Sequence, residues 1–244
     1  MFIENVGFDA NDPVRLGRFW AAALGAEPAT EEADLFEARL QLGDELYLDL
    51  CFQLDPGPPA TTPRLHLDLL GGPEQDSLVE RLLDLSASRL DIGQVNVPWV
   101  VLADPEGNAT CVMEERAAYV DTGPIAALPM HSSDPQRDGA FWSELSGWRH
   151  GPGVAEVSLR HHSGHGPLLE FCPETRPKQG KNRTHLDLRR EADDPGLDEI
   201  LTRVRDLGGA TLDHDWGELP WVVCADPSGN EFCILPPPRQ PRGA

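Results

Sequence analysis

Residues 98–113 read PWVVLADPEGNATCVM, and residues 220–235 read PWVVCADPSGNEFCIL. In each, the apolar Trp-Val-Val run suits a strand. Asp-Pro then opens a turn, because proline's fixed φ matches the turn's second position, and Gly-Asn supplies residues that accept positive φ. A second short apolar run closes the unit as a hairpin. The correspondence continues upstream. Asp12-Pro13 caps and starts a helix whose Leu16, Phe19, Trp20, Ala23 and Leu24 share one face, and Gly25 stops it. Ser133-Asp134-Pro135 begins the same pattern, with Phe141, Trp142, Leu145 and Gly147. The strand-like runs Arg64–Leu70 and Thr184–Leu188 each precede a second helical stretch, near 74–85 and 195–207. Asp12 and Asp134 are 122 residues apart, and His66 and His185 are 119 apart. So long a period means two whole domains, not a solenoid. Each copy reads βαβββ followed by βαβββ. The expected domains are 1–118 and 124–238, with a frayed tail at 239–244.

The length of 244 residues suits two domains of this size. The formal net charge is −21, divided as −16 before residue 123 and −5 after it. Phosphate binding needs a basic face, so nucleic acid and anionic lipid are excluded as expected partners, while a cationic ligand is permitted. The acid also serves as a plain solvated surface. The five cysteines are odd in number and lack Cys-x-x-Cys spacing. With no leader-like or bilayer-spanning run, reduced thiols in the cytoplasm are expected.

Taken together, Asp-Pro before a Phe-Trp helix, a His-Leu-Asp-Leu strand, and Trp-Val-Val followed by Asp-Pro-x-Gly-Asn resemble the vicinal oxygen chelate superfamily. The likeness is to its glyoxalase-like and bleomycin-resistance-like branch, and it covers nearly the whole chain twice. It implies an α+β fold of tandem domains, with paired βαβββ units forming a concave mixed sheet, helices outside and a small-molecule pocket inside. The superfamily includes lyases, epimerases, dioxygenases and metal-free drug-binding proteins, so fold does not give function. In drug-binding relatives two domains pair to form the clefts. A fused tandem allows that pairing within one chain, and a homodimer is the alternative.

Metal-using relatives carry His or Gln, Glu, His and Glu on the first and last strands of their units. In the first copy those positions fall on Asn5, Gln53 (with Asp49 and Cys51 on its face), His66 and Cys111. In the second they fall on Ala127, Glu170, His185 and Cys233. Neither copy has the full set. A catalytic ion needs three protein ligands and an open position. On this reading Glu170, His185 and Cys233 of the second copy are the three that zinc would require. A cysteine between apolar strand neighbours also serves simply as a small hydrophobe. Asp68 and Asp187 share a face with His66 and His185 by two-residue alternation, so each can hold an imidazole for packing or for acid–base work. Trp99 and Trp221 suit either ligand stacking or core filling. The Phe-Trp helix pairs read as core, and His161, His162 and His165 as a solvated hairpin tip.

Two functions follow. The residues favour binding of a small organic molecule, cationic in the drug-sequestering case, without a complete family metal site and with no assigned cofactor. The alternative is a glyoxalase-type lyase, isomerase or dioxygenase using His66 or His185 with Glu170, and a divalent metal such as zinc in the second copy.

Overall fold

The computed structural model describes residues 1–43, 46–58, 63–214 and 217–238; the expected tail at 239–244 lies outside them. Four βαβββ units follow one another. The first comprises β1 (Phe2–Ala10), α1 (Pro13–Leu24), β2 (Glu27–Glu31), β3 (Leu35–Gln41) and β4 (Tyr47–Leu54). The second comprises β5 (Asp68–Gly72), α2 (Gln75–Asp84), β6 (Ser88–Arg89), β7 (Val100–Ala103) and β8 (Ala109–Glu114). The third comprises β9 (Ile125–Ser132), α3 (Pro135–Ser146), β10 (Arg149–His150), β11 (Val157–Arg160) and β12 (Leu168–Pro173). The fourth comprises β13 (Thr184–Arg189), α4 (Leu197–Asp206), β14 (Ala210–Thr211), β15 (Val222–Ala225) and β16 (Glu231–Leu235).

The helix signals act as their chemistry dictates. The Asp12 carboxylate accepts from Arg15 N at 3.0 Å, and that of Asp134 from Arg137 N at 3.1 Å. Both helices end on a left-handed glycine, Gly25 and Gly147, each with φ 71°.

The units assemble into two eight-stranded mixed sheets, ordered β14-β15-β16-β13-β1-β4-β3-β2 and β10-β11-β12-β9-β5-β8-β7-β6. The first sheet therefore joins the first and fourth units, and the second joins the second and third. Each join is an antiparallel pairing of two unit-opening strands, β1 with β13 and β5 with β9. The sequence copies 1–118 and 124–238 thus each give one unit to each sheet.

Contacts away from the sheets tie each copy to itself. Trp20 Nε1 of α1 donates to Asp104 Oδ2 in the turn of the second unit, at 3.4 Å. Trp142 Nε1 of α3 donates to Asp226 Oδ2 in the turn of the fourth, at 3.1 Å. Both tryptophans are buried, and one apolar core runs from β1 and β4 through the helices to β9, β12 and β16. The Phe-Trp pairs are core, as their helical spacing predicts.

One strand falls short of its expected length. Arg64–Leu70 reads as a strand, yet regular pairing begins only at Asp68, with an isolated bridge at Leu65. The neighbouring β9 carries Pro129 beside this segment, and proline has no N–H to continue the ladder. His66 N still donates to Pro129 O at 3.3 Å.

Candidate functional site

Along β1, Val6 and Phe8 enter the core, so Asn5 and Gly7 face the other side of the first sheet. Leu186 and Leu188 of β13 likewise leave His185 and Asp187 on that open face. Register then gathers the site. Asn5 lies opposite Asp187, Asp187 opposite Cys233, and Gly7 opposite both His185 and Cys51. Asn5 Nδ2 donates to Asp187 Oδ2 at 3.0 Å, and His185 Nε2 lies 3.3 Å from Asp187 Oδ1. That Oδ1 is buried and accepts no hydrogen bond. A Cβ on Gly7 would stand 2.6 Å from His185 Nε2, so the imidazole occupies the space a side chain there would fill. Glycine inside a strand often marks such a close approach.

The second sheet repeats the arrangement with changes. Asp68 lies opposite Cys111 and Ala127, and Pro129 opposite Glu170. His66 Nε2 is 3.3 Å from Asp68 Oδ1, which is again buried without a hydrogen bond. Ala127 stands where the first cup has Asn5, and Pro129 where it has Gly7. Glu170 Oε1 accepts from Val154 N at 2.7 Å.

Two expectations are corrected by the register. Glu170, His185 and Cys233 do not form one site: Glu170 belongs to the second sheet, with His66, Asp68 and Cys111, while His185 and Cys233 belong to the first. Copies that are continuous in sequence are divided between sheets, so residues of one copy need not meet. In addition, the counterpart of Glu170 is Cys51 and not Gln53, because Cys51 is the residue opposite Gly7. Gln53 lies one step further along β4, opposite Asp9, and its Nε2 contacts Cys51 Sγ at 3.6 Å. Trp99 is half-buried under the Arg116 guanidinium, 5.5 Å from its ring centroid, and Trp221 is half-buried at the head of β15. His161 pairs with Ser163 at 2.8 Å in an exposed turn and joins no group of metal-type donors among the described residues.

The donors that do converge are His185, Asp187 and Cys233 in the first cup, and His66, Asp68 and Cys111 in the second; within each set the ligand atoms lie within 4.8 Å of one another. Burial alone would push the His185 imidazolium down. The Asp187 carboxylate, with Cys233, outweighs it and holds that pKa well above 6.5. Burial raises the Cys233 thiol, and raises Cys51 to about 12, so neither is a ready thiolate unless a cation displaces its proton. Burial also raises Glu170, with Asp68 adding to the shift.

The His185 shift has a consequence for stability. A folded pKa above the unfolded value near 6.5 means that the pair's contribution is full below about pH 6.5 and is lost as pH rises through the folded value. The urea midpoints of wild type and His185→Gln should therefore differ at pH 6 and draw together as the pH is raised. A gap that stays constant throughout would show that the imidazolium is not held by Asp187.

A family model described as a glyoxalase-like domain matches residues 5–113 and again 127–235. The chain belongs to the glyoxalase-like family. Glyoxalase I from Zea mays superposes with a TM-score of 0.67 at 15% identity, covering 96% of this chain and 92% of that one. A putative dioxygenase from Bacillus subtilis gives 0.59 at 13% identity, covering 98% and 86%. At such identities these two likenesses establish the fold alone. No curated protein matches the sequence. For this family member the sequence motifs located His185, His66, Asp187, Asp68 and both cysteines, but not Gly7. A lone glycine amid β1 was the available signal.

Proposed function

We propose that this glyoxalase-like protein binds a small organic molecule in the cup formed by Asn5, Cys51, His185, Asp187 and Cys233. The observation that carries this is the convergence of Asn5, His185, Asp187 and Cys233 on one face of the first sheet, around a buried carboxylate held by Asn5 Nδ2 at 3.0 Å and lying 3.3 Å from His185 Nε2. A ligand that brings a donor or a positive charge would share this carboxylate with His185. The net charge of −21 favours a cationic ligand on approach. His185 and Asp187 together also suit proton transfer to such a ligand.

The second reading is metal binding, favoured by the convergence of His, Asp and Cys donor atoms in both cups. The family's own pattern is not met, since Asn5 stands where metal-using relatives carry His or Gln, and Cys51 and Cys233 stand where they carry Glu. Even so, nitrogen, oxygen and sulfur donors at this spacing fit an ion of the zinc class. His185, Asp187 and Cys233 would hold it in the first cup, and His66, Asp68 and Cys111 in the second. A bound zinc ion would supply Lewis-acid polarisation of a chelating substrate. His185 and Cys233 must each give up a proton to bind it, so affinity for zinc should rise with pH.

Two measurements separate the readings. A thermal-shift screen with cationic glycopeptides of the bleomycin type and related cationic aromatics should find a stabilising ligand, at about 2.7 kcal/mol for one present at 100 times its Kd. His185→Ala should remove that shift. A screen without a hit, or a hit indifferent to His185→Ala, would count against the site. Elemental analysis after purification without chelator tests the metal: under about a tenth of an equivalent per chain, with no uptake of added zinc at pH 8, removes that reading.

A further inference from the structure

The second cup is not open. Residues 115–124, which link β8 to β9, fold across its face. Tyr119 is 4% exposed and packs in an apolar cluster with Val101, Cys111, Met113, Ala127 and Leu168. Each of these comes from the sheet itself, on β7, β8, β9 or β12. The Arg116 guanidinium donates to Tyr119 Oη at 3.4 Å, is held by Glu114 at 2.6 Å, and lies over both the Trp99 and Tyr119 rings at 5.5 and 5.6 Å. The phenol thus has apolar walls around its ring and a cation at its oxygen. The strap is anchored away from the cup as well. Arg160 donates to Val120 O, Gly166 N donates to Asp121 O at 3.0 Å, and Asp121 and Gly123 turn the chain with φ of 57° and 73°.

The lining has diverged accordingly. At the position of Asn5 in the first cup, the second has Ala127, a small side chain against the Tyr119 cluster. Burial, reinforced by Glu170 and Asp68, also holds the hydroxyl in its neutral form.

We propose that the second cup is a phenol-binding site filled in cis by Tyr119, which takes a phenolic small molecule only when the strap is displaced. This does not rest on the reading of the first cup. The experiment needs no ligand for the first cup. Cys111 lies in the Tyr119 cluster, so its alkylation by N-ethylmaleimide, followed by mass spectrometry of the folded protein, reports whether the strap is closed. Tyr119→Gly should react at Cys111 at least tenfold faster than wild type, and 4-methylphenol should slow that reaction back toward the wild-type rate while leaving wild type unaffected. Equal Cys111 rates in the two proteins, or no effect of 4-methylphenol on the variant, would overturn the proposal. Should Tyr119→Gly fail to fold by circular dichroism, Arg160→Ala releases an anchor and keeps the phenol. It should speed Cys111 alkylation at least threefold, and an unchanged rate would be equally fatal. Loss of the first-cup reading shows instead as indifference of ligand binding to His185→Ala, with the Cys111 rates unaltered.

Discussion

Asp226→Ala is expected to lower folding stability by about 4 kcal/mol, because it leaves several buried donors without an acceptor. The Asp226 carboxylate takes Asn230 N at 2.8 Å and Ser228 N at 2.9 Å on Oδ1. On Oδ2 it takes Asn230 Nδ2 at 2.8 Å and Trp142 Nε1 at 3.1 Å. The first three close the Asp-Pro-x-Gly-Asn turn, and the fourth fastens α3 to it. Trp142→Phe keeps the ring's packing and removes only the last bond, so it should cost less, about 1–2 kcal/mol. Urea unfolding monitored by circular dichroism measures both. A loss below about 1 kcal/mol for Asp226→Ala would mean that water replaces the carboxylate at little cost, and that the turn is not the clasp between helix and hairpin.

Gly7→Ala is expected to leave the fold intact and disable the first cup. The glycine lies within a regular strand, where alanine is tolerated. Its added Cβ would meet His185 Nε2 at 2.6 Å and Cε1 at 2.7 Å, so the imidazole must swing away from Asp187. Affinity for whichever small molecule the screen identifies should fall about tenfold or more, equivalent to at least 1.4 kcal/mol. The His185 imidazole should also titrate nearer 6.5 by NMR. Unchanged affinity together with an unchanged titration would show that Gly7 does not seat the ring. Ala127→Gly, at the matching place for Asn5 in the other sheet, should leave both readouts alone.

Much of this site was visible in the residues. His-Leu-Asp-Leu places its imidazole and carboxylate on one face by strand alternation, and His185 Nε2 and Asp187 Oδ1 do meet at 3.3 Å. The cysteines of the last strands, Cys111 and Cys233, join their respective pairs. What alternation could not supply was the partner strand. Glu170 looked like a companion of His185 because both lie in one copy, yet β12 pairs with β9 and so belongs with β5 and His66. Tyr119 gave no sign either. It is a single aromatic residue in a short polar linker, and its burial depends on a cup built from distant strands.

The sequence alone determined everything whose cause is local: the capped helices at Asp12 and Asp134, the hairpin turns after Trp99 and Trp221, the duplication, and the faces on which His66 and His185 stand. Those features follow from the φ preferences of Pro, Gly and Asn and from the two-residue period of a strand. Only the tertiary structure decided which unit pairs with which, and hence which residues share a cup. Each unit offers an opening strand of similar pattern, so local propensity does not distinguish one partner from another; the choice was made by core packing between units far apart in the chain. The same packing laid the strap and Tyr119 over one cup and let His185 settle against Gly7 in the other.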